Sequence, residues 1–234
     1  MKRIPLVMFL LLAYLGLCFP AALIGGLAWM LNSFGLAWQA LEHYVVIEVG
    51  LPLGVLLAHM VVQRRSWGAA CGLGLLLALF FVGGNVLFAE LAALTVLAYG
   101  VALAIVETLR DRRALVSAAL RLAAATALCG GLAAVAILPT IALAGESARV
   151  SLTYHELSKF ALSWGDLQYV FRWPKDPYKY DPYHWDLFAG SLVGVLALIG
   201  LARRGFHARF AAVLGILTLL FMLHTPVTYV VCTI

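Results

Sequence analysis

Charge is scarce in this 234-residue chain: 12% of its residues are charged and 64% hydrophobic, and the mean hydropathy is +1.00. Soluble domains are roughly half apolar and about one quarter charged, so this composition excludes an ordinary soluble fold. Cysteine is sparse too. Cys18, Cys71, Cys129 and Cys232 stand apart in apolar sequence, with no CxxC pair and no histidine beside them. They read as small core residues, which excludes a redox or zinc motif of recognisable spacing. A Gly-rich phosphate loop, a nucleophile elbow and an HExxH helix are all absent. No basic stripe occurs outside short arginine clusters between apolar runs, so the net charge of +5 points to membrane topology and not to nucleic acid.

What the chain has is apolar runs of bilayer length. A spanning helix needs roughly 20 apolar residues, because the hydrocarbon core is about 30 Å thick and backbone polar groups there must bond internally. The first run, Ile4 to Leu31, is interrupted by Pro20 and the Gly25-Gly26 pair, giving one long kinked helix or two short ones meeting near Cys18 to Pro20. Further spans are expected over about His43 to Val62, Trp67 to Val82, Val86 to Thr108, Val116 to Ala144, Leu187 to Ala202 and Phe210 to Val231. Arg64-Arg65, Arg110 with Arg112-Arg113, and Arg203-Arg204 with Arg209 fall in alternate connections, as expected of cytoplasmic loops. Lys2-Arg3 joins them inside if the first run crosses once. The charge pattern therefore favours seven crossings over eight. The fold expected is an all-α, polytopic transmembrane helix bundle forming a single domain.

One polar segment stands out, Gly145 to Asp186. It carries 11 of the 27 charged residues, three of the six tryptophans and five of the nine tyrosines. Thr153 and Glu156 have capping-box spacing, and Leu157, Phe160, Ala161, Trp164 and Leu167 follow at helical intervals. These predict a short interfacial helix. Beyond Trp173, prolines at 174, 177 and 182 and a doubled DPY predict an extended aromatic loop on the outward side. Rings and carboxylates suit a carbohydrate or lipid-linked substrate, and aromatic residues equally suit headgroup depth. Arg149 and Arg172 are candidates to clamp a phosphate bidentately, with the neighbouring acids as the other possible partners. Asp176, Asp181 and Asp186, with His184, leave a divalent metal possible.

Outside that segment, Glu42 and His43 sit together at the outer mouth of a span, an acid beside an imidazole that suits general acid/base work. Glu48 and Glu90 lie inside spans, each about 7 Å below the outer surface, where an acid is costly unless it faces a polar cavity or a partner. They are expected to line one outward cavity or to be hydrogen-bonded packing residues. His59 lies near Arg64-Arg65 at the inner end, His207 in a basic inner loop and His224 in the last span. Arg121 is close enough to its helix end to snorkel.

Several short stretches resemble a known family. AALIGGLAWMLNSFG, the outer Glu42-His43-Tyr44, Leu51-Pro52-Leu53 ahead of Arg64-Arg65, and the later Ile137-Leu138-Pro139, Ser147-Ala148-Arg149 and Phe171-Arg172-Trp173-Pro174 followed by Tyr183 resemble GT-C-type bacterial membrane glycosyltransferases, the YfhO-like group. The resemblance implies sugar transfer from a polyprenyl-phosphate carrier at the outer face of the bacterial cytoplasmic membrane. On that reading Glu42, His43 and Glu90 are the catalytic candidates, and Arg149, Arg172, Trp173, Tyr178 and Tyr183 the substrate-binding ones. The family's acid on the first outer loop has no counterpart between Asn32 and Trp38. The chain is accordingly expected to belong to a larger architecture or to meet a further membrane subunit. A transporter or flippase using Glu48 and Glu90 as proton or ion sites, and a non-catalytic membrane subunit, are the other classes the sequence allows.

Overall fold

The computed structural model describes residues 4–31, 42–83, 86–109, 112–145, 165, 199–200 and 205–222. Among these the chain is all helical, with no strand. Seven helices are defined: α1 (Ile4–Tyr14), α2 (Phe19–Met30), α3 (Glu42–Gln63), α4 (Trp67–Gly83), α5 (Val86–Thr108), α6 (Arg112–Gly145) and α7 (Phe206–Met222). Among the described residues three stretches are long and apolar enough to cross a membrane: Val45–Gln63 in α3, Phe88–Thr108 in α5 and Leu115–Leu143 in α6. The residues group into two compact units, Met1–Leu31 with Trp38–Thr140, and Asn32–Ala37 with Ile141–Ile234.

Of the two forms expected of the first apolar run, the structure shows two short helices meeting near Cys18 to Pro20 and not one long kinked helix. These helices have 11 and 12 residues, each about 17 Å long and so about half the thickness of a hydrocarbon core. Gly16, at φ +88°, ends α1: its N–H reaches the Ala13 carbonyl at 3.0 Å, and the Leu17 N–H reaches the Leu12 carbonyl at 3.1 Å. This is the Schellman pairing, and its left-handed residue is one that glycine adopts without Cβ strain. Cys18 is extended (ψ 154°), and Pro20 in the first turn of α2 restarts the helix where its missing N–H costs nothing. The chain reverses here. Phe9 and Phe19 rings meet at 5.6 Å, whereas ten residues of one straight helix would hold them about 15 Å apart. Gly25 packs against the Leu12 side chain across the hairpin.

Helices α3 to α6 alternate in direction. Gly50 faces Phe80 and Leu76, Gly54 faces Leu76, and Gly72 faces Leu57, so α4 runs antiparallel to α3. The connection is a three-residue turn with Arg65 at φ 52° and the Ser66 hydroxyl accepting from the Ala69 N–H at 3.2 Å. Partners between α3 and α5 are 40 to 44 positions apart in the direct hydrogen bonds, and the two helices are parallel. Gly74 of α4 abuts the Ala125 carbonyl and Leu128 of α6, while Trp67 lies beside Arg121; both pairs advance together, so α4 and α6 are parallel.

Packing within this unit uses small residues. Half of its buried apolar positions are alanine, around the larger fully buried Phe80, Leu73, Leu77, Val61 and Val96. Leu75, Leu79, Leu91, Leu94, Ile105, Leu120 and Val135 point outward. Small residues inside and bulky ones outside reverse the soluble pattern. Helices in lipid gain nothing from hiding leucine and associate through close backbone approach.

In the second unit the described part is mainly α7. It starts four residues ahead of the expected span and takes His207 and Arg209, expected in a loop, into its first turns. A helix can begin at Phe206 because Gly205 supplies the break ahead of it, and its carbonyl accepts the Arg209 N–H at 3.1 Å. The expected interfacial helix, the aromatic loop and the span from Leu187 lie outside the described residues, apart from Gly165 and residues 199–200.

Candidate functional site

Proline sets up the first polar contact inside the bundle. Pro52 sits within α3 and has no N–H to give the carbonyl four residues earlier, that of Glu48. Trp29, near the end of α2, supplies the donor instead: its Nε1–H reaches the Glu48 carbonyl at 3.1 Å. Glu48 is 7% exposed. The end of the half-length hairpin is thereby fixed to the N-terminal third of a long helix, at an acid within an apolar stretch.

The register of α3 against α5 brings Glu90 to the same level, since Glu48 and Glu90 are 42 positions apart, as are the packed pairs Gly54–Val96 and Ala58–Gly100. Their surroundings differ. Glu48 is buried against α2, and Glu90 is exposed on α5. The two acids thus share a level in the bundle, but the structure does not give them one environment. Glu42 and His43 form the first turn of α3, and the structure describes their backbone. Arg149, Arg172, Trp173, Tyr178 and Tyr183 lie outside the described residues.

A second cluster gathers at the other end of α3. His59 is 7% exposed, and its Nδ1 lies 2.8 Å from the Tyr99 hydroxyl on α5. Tyr14, the last residue of α1, meets the imidazole edge to face at 5.6 Å, and the Arg64 guanidinium lies 4.9 Å from the Tyr14 ring. Glu48 and His59 are 11 residues apart, three helical turns, so they share one face of α3. That face meets both ends of the hairpin: Trp29 at Glu48 and Tyr14 at His59. At this end also, Gln63 Nε2 donates to Glu107 Oε1 at 3.1 Å.

Arg121 makes a third arrangement, between α4 and α6. Its Nη1 donates to the Ser117 carbonyl at 2.9 Å and to the Ser117 hydroxyl at 2.6 Å. The guanidinium lies 5.4 Å from the Trp67 ring, and among the described residues its buried Nε has no hydrogen-bond partner.

Sequence reasoning located His59 near the arginines and missed Tyr14, Tyr99 and Trp29. The helical spacing of Glu48 and His59 was a usable sign of a shared face. Nothing local joins His59 to a tyrosine 40 residues on. Cys129 is buried as expected, but Cys18 and Cys71 are exposed free thiols, the first in the hairpin turn and the second on the outward side of α4. Among the described residues no group of three His, Cys, Asp or Glu side chains could hold a metal ion. In comparisons with known proteins, the chain matches no family model, no curated protein and no solved structure.

Proposed function

We propose that the protein is an integral, multi-pass membrane protein that transfers sugar from a polyprenyl-phosphate carrier at the end of the bundle where Glu48 and Glu90 lie. The membrane assignment is supported by three helices of spanning length and by the outward leucines around an alanine-rich interior. The observation that carries a polar site is Glu48, an acid buried in an apolar helix at a proline break whose freed backbone carbonyl takes the Trp29 indole. Such residues inside a span are costly and belong by default to function. The transferase class rests on the sequence resemblance. In this mechanism Glu42, His43 or Glu90 takes the acceptor hydroxyl's proton, Arg149 and Arg172 hold the carrier phosphate, and the hydroxyl oxygen displaces that phosphate at the anomeric carbon. Membranes containing the protein, given labelled polyprenyl-phosphate sugar, should transfer label, and Glu42→Gln or Glu90→Gln should abolish transfer. Undiminished transfer in both variants removes those acids from the mechanism.

A second reading has its own observation. Glu48 and His59 on one face of α3, against two half-length helices that reverse within the bundle, suit proton-coupled transport, in which discontinuous helices and buried titratable groups line the path. Proton-driven flux in sealed vesicles, lost in Glu48→Gln and His59→Gln, would favour it over sugar transfer.

A further inference from the structure

We infer that Arg121 and Trp67 form a binding site for the phosphate of an anionic phospholipid, in the leaflet at the arginine-rich end of α3 to α6. The inference rests on the membrane reading and is independent of the transferase reading. It starts from the donors of Arg121. A guanidinium presents five N–H groups and two edges able to grip an anion with paired hydrogen bonds. Ser117, one turn earlier on α6, takes Nη1 through both its carbonyl and its hydroxyl, at 2.9 and 2.6 Å. This anchors the side chain and leaves the edge formed by Nε and Nη2. Among the described residues no hydrogen bond of the side chain uses Nη2, and Nε is buried without a partner. A buried donor left unmade is expensive, so its persistence calls for an acceptor.

Among the described residues no acid bonds Arg121. Among the described residues the acid at this end is Glu107, whose Oε1 takes Gln63 Nε2. Depth identifies the alternative. Trp67 opens α4 directly after Arg64, Arg65 and Ser66, and it is 50% exposed. A tryptophan at a helix end beside arginines marks the headgroup layer. With its guanidinium 5.4 Å from that ring, Arg121 lies at the same depth although it is six residues past Leu115, where the apolar stretch begins. Basic groups held between helices at this level suit lipid phosphate, and the indole beside the guanidinium is half-exposed. Arginine, not lysine, is required for the paired contact.

Native mass spectrometry of the detergent-purified full chain, titrated separately with phosphatidylglycerol, phosphatidylcholine and inorganic phosphate, tests the site. Phosphatidylglycerol should bind more tightly than phosphatidylcholine. Arg121→Gln should weaken the first phosphatidylglycerol about fivefold, the effect of one basic contact, and leave phosphatidylcholine unchanged. Arg121→Lys should recover only part of the loss. Should Arg121→Gln fail to fold, Ser117→Ala keeps the charge and the carbonyl bond but removes the hydroxyl that helps to anchor Nη1, and should also weaken phosphatidylglycerol. Wild-type preference in the folded Arg121 variants, or in Ser117→Ala where it replaces them, overturns the site. Displacement of phosphatidylglycerol by equimolar inorganic phosphate overturns the lipid as its occupant. Resistance of the chain to alkaline extraction from membranes tests the membrane reading separately, so a lost headgroup preference with retained resistance counts against this site alone.

Discussion

Replacing Trp29 by Phe should cost a hydrogen bond only while Pro52 is present. Without an N–H at position 52, the Glu48 carbonyl depends on the indole Nε1–H 3.1 Å away. Leaving a buried acceptor unmade costs about 1–3 kcal/mol in soluble proteins, while bonds between membrane helices average about 0.6 and reach about 1.7 kcal/mol. Trp29→Phe should therefore cost about 1 kcal/mol for the hydrogen bond, plus a packing loss. In a Pro52→Ala background the amide N–H restored at that position can take the same carbonyl and close the helical ladder, so the hydrogen-bond part should vanish and the packing part remain. The double-mutant cycle cancels the packing loss and leaves a coupling of about 1 kcal/mol. Denaturant unfolding of the purified protein in micelles, followed by far-UV circular dichroism, measures all four corners. Equal costs of Trp29→Phe in the two backgrounds would refute the account of α2 docking on the proline break.

Three further outcomes follow from the packing. Gly74→Ala puts a methyl group 2.8 Å from the Ala125 carbonyl of α6, so thermal unfolding should show a loss of about 1–3 kcal/mol; Gly131→Ala, with open space around it, should be neutral or gain up to about 1 kcal/mol. Gly16→Ala forces a Cβ into φ +88° and should cost about 1 kcal/mol in the same assay, by strain alone because no atom lies within 4 Å of the new group. Tyr99→Phe removes the hydroxyl 2.8 Å from His59 Nδ1 and should cost about 1 kcal/mol, with a changed imidazole resonance in nitrogen NMR as the sign that the bond itself was lost.

Much of the fold was legible because bilayer-length apolar runs leave little choice of structure. Glu42–Gln63, Trp67–Gly83 and Val86–Thr108 agree with the expected spans to within a residue or so, set by the Arg64–Ser66 turn and the Gly83–Asn85 break. The first run left two readings open for the same reason that the others succeeded. Its residues are apolar all round, so periodicity carries no sign of a reversal. Pro20 marked the break near Cys18 as one of two readings, Gly16 was the further local sign, and charge counting at Lys2-Arg3 favoured the other reading. The site was harder. Glu48 stood out as an acid in a span, but its partner Trp29 is 19 positions away and the reason for the contact is the missing N–H of Pro52. His59 and Tyr99 meet because α3 and α5 run parallel, a relation created by packing and invisible to spacing.

The alternation of α3 and α4 across a bilayer is the claim on which the others stand, and thiol accessibility tests it directly. In a cysteine-free background, Ser66→Cys, beside the arginine-rich turn, and Gly83→Cys, at the opposite end of α4, are offered a membrane-impermeant maleimide. The account predicts that Gly83→Cys is labelled in intact cells and Ser66→Cys only after the cells are opened. Labelling of both positions from the same side of the membrane would contradict it.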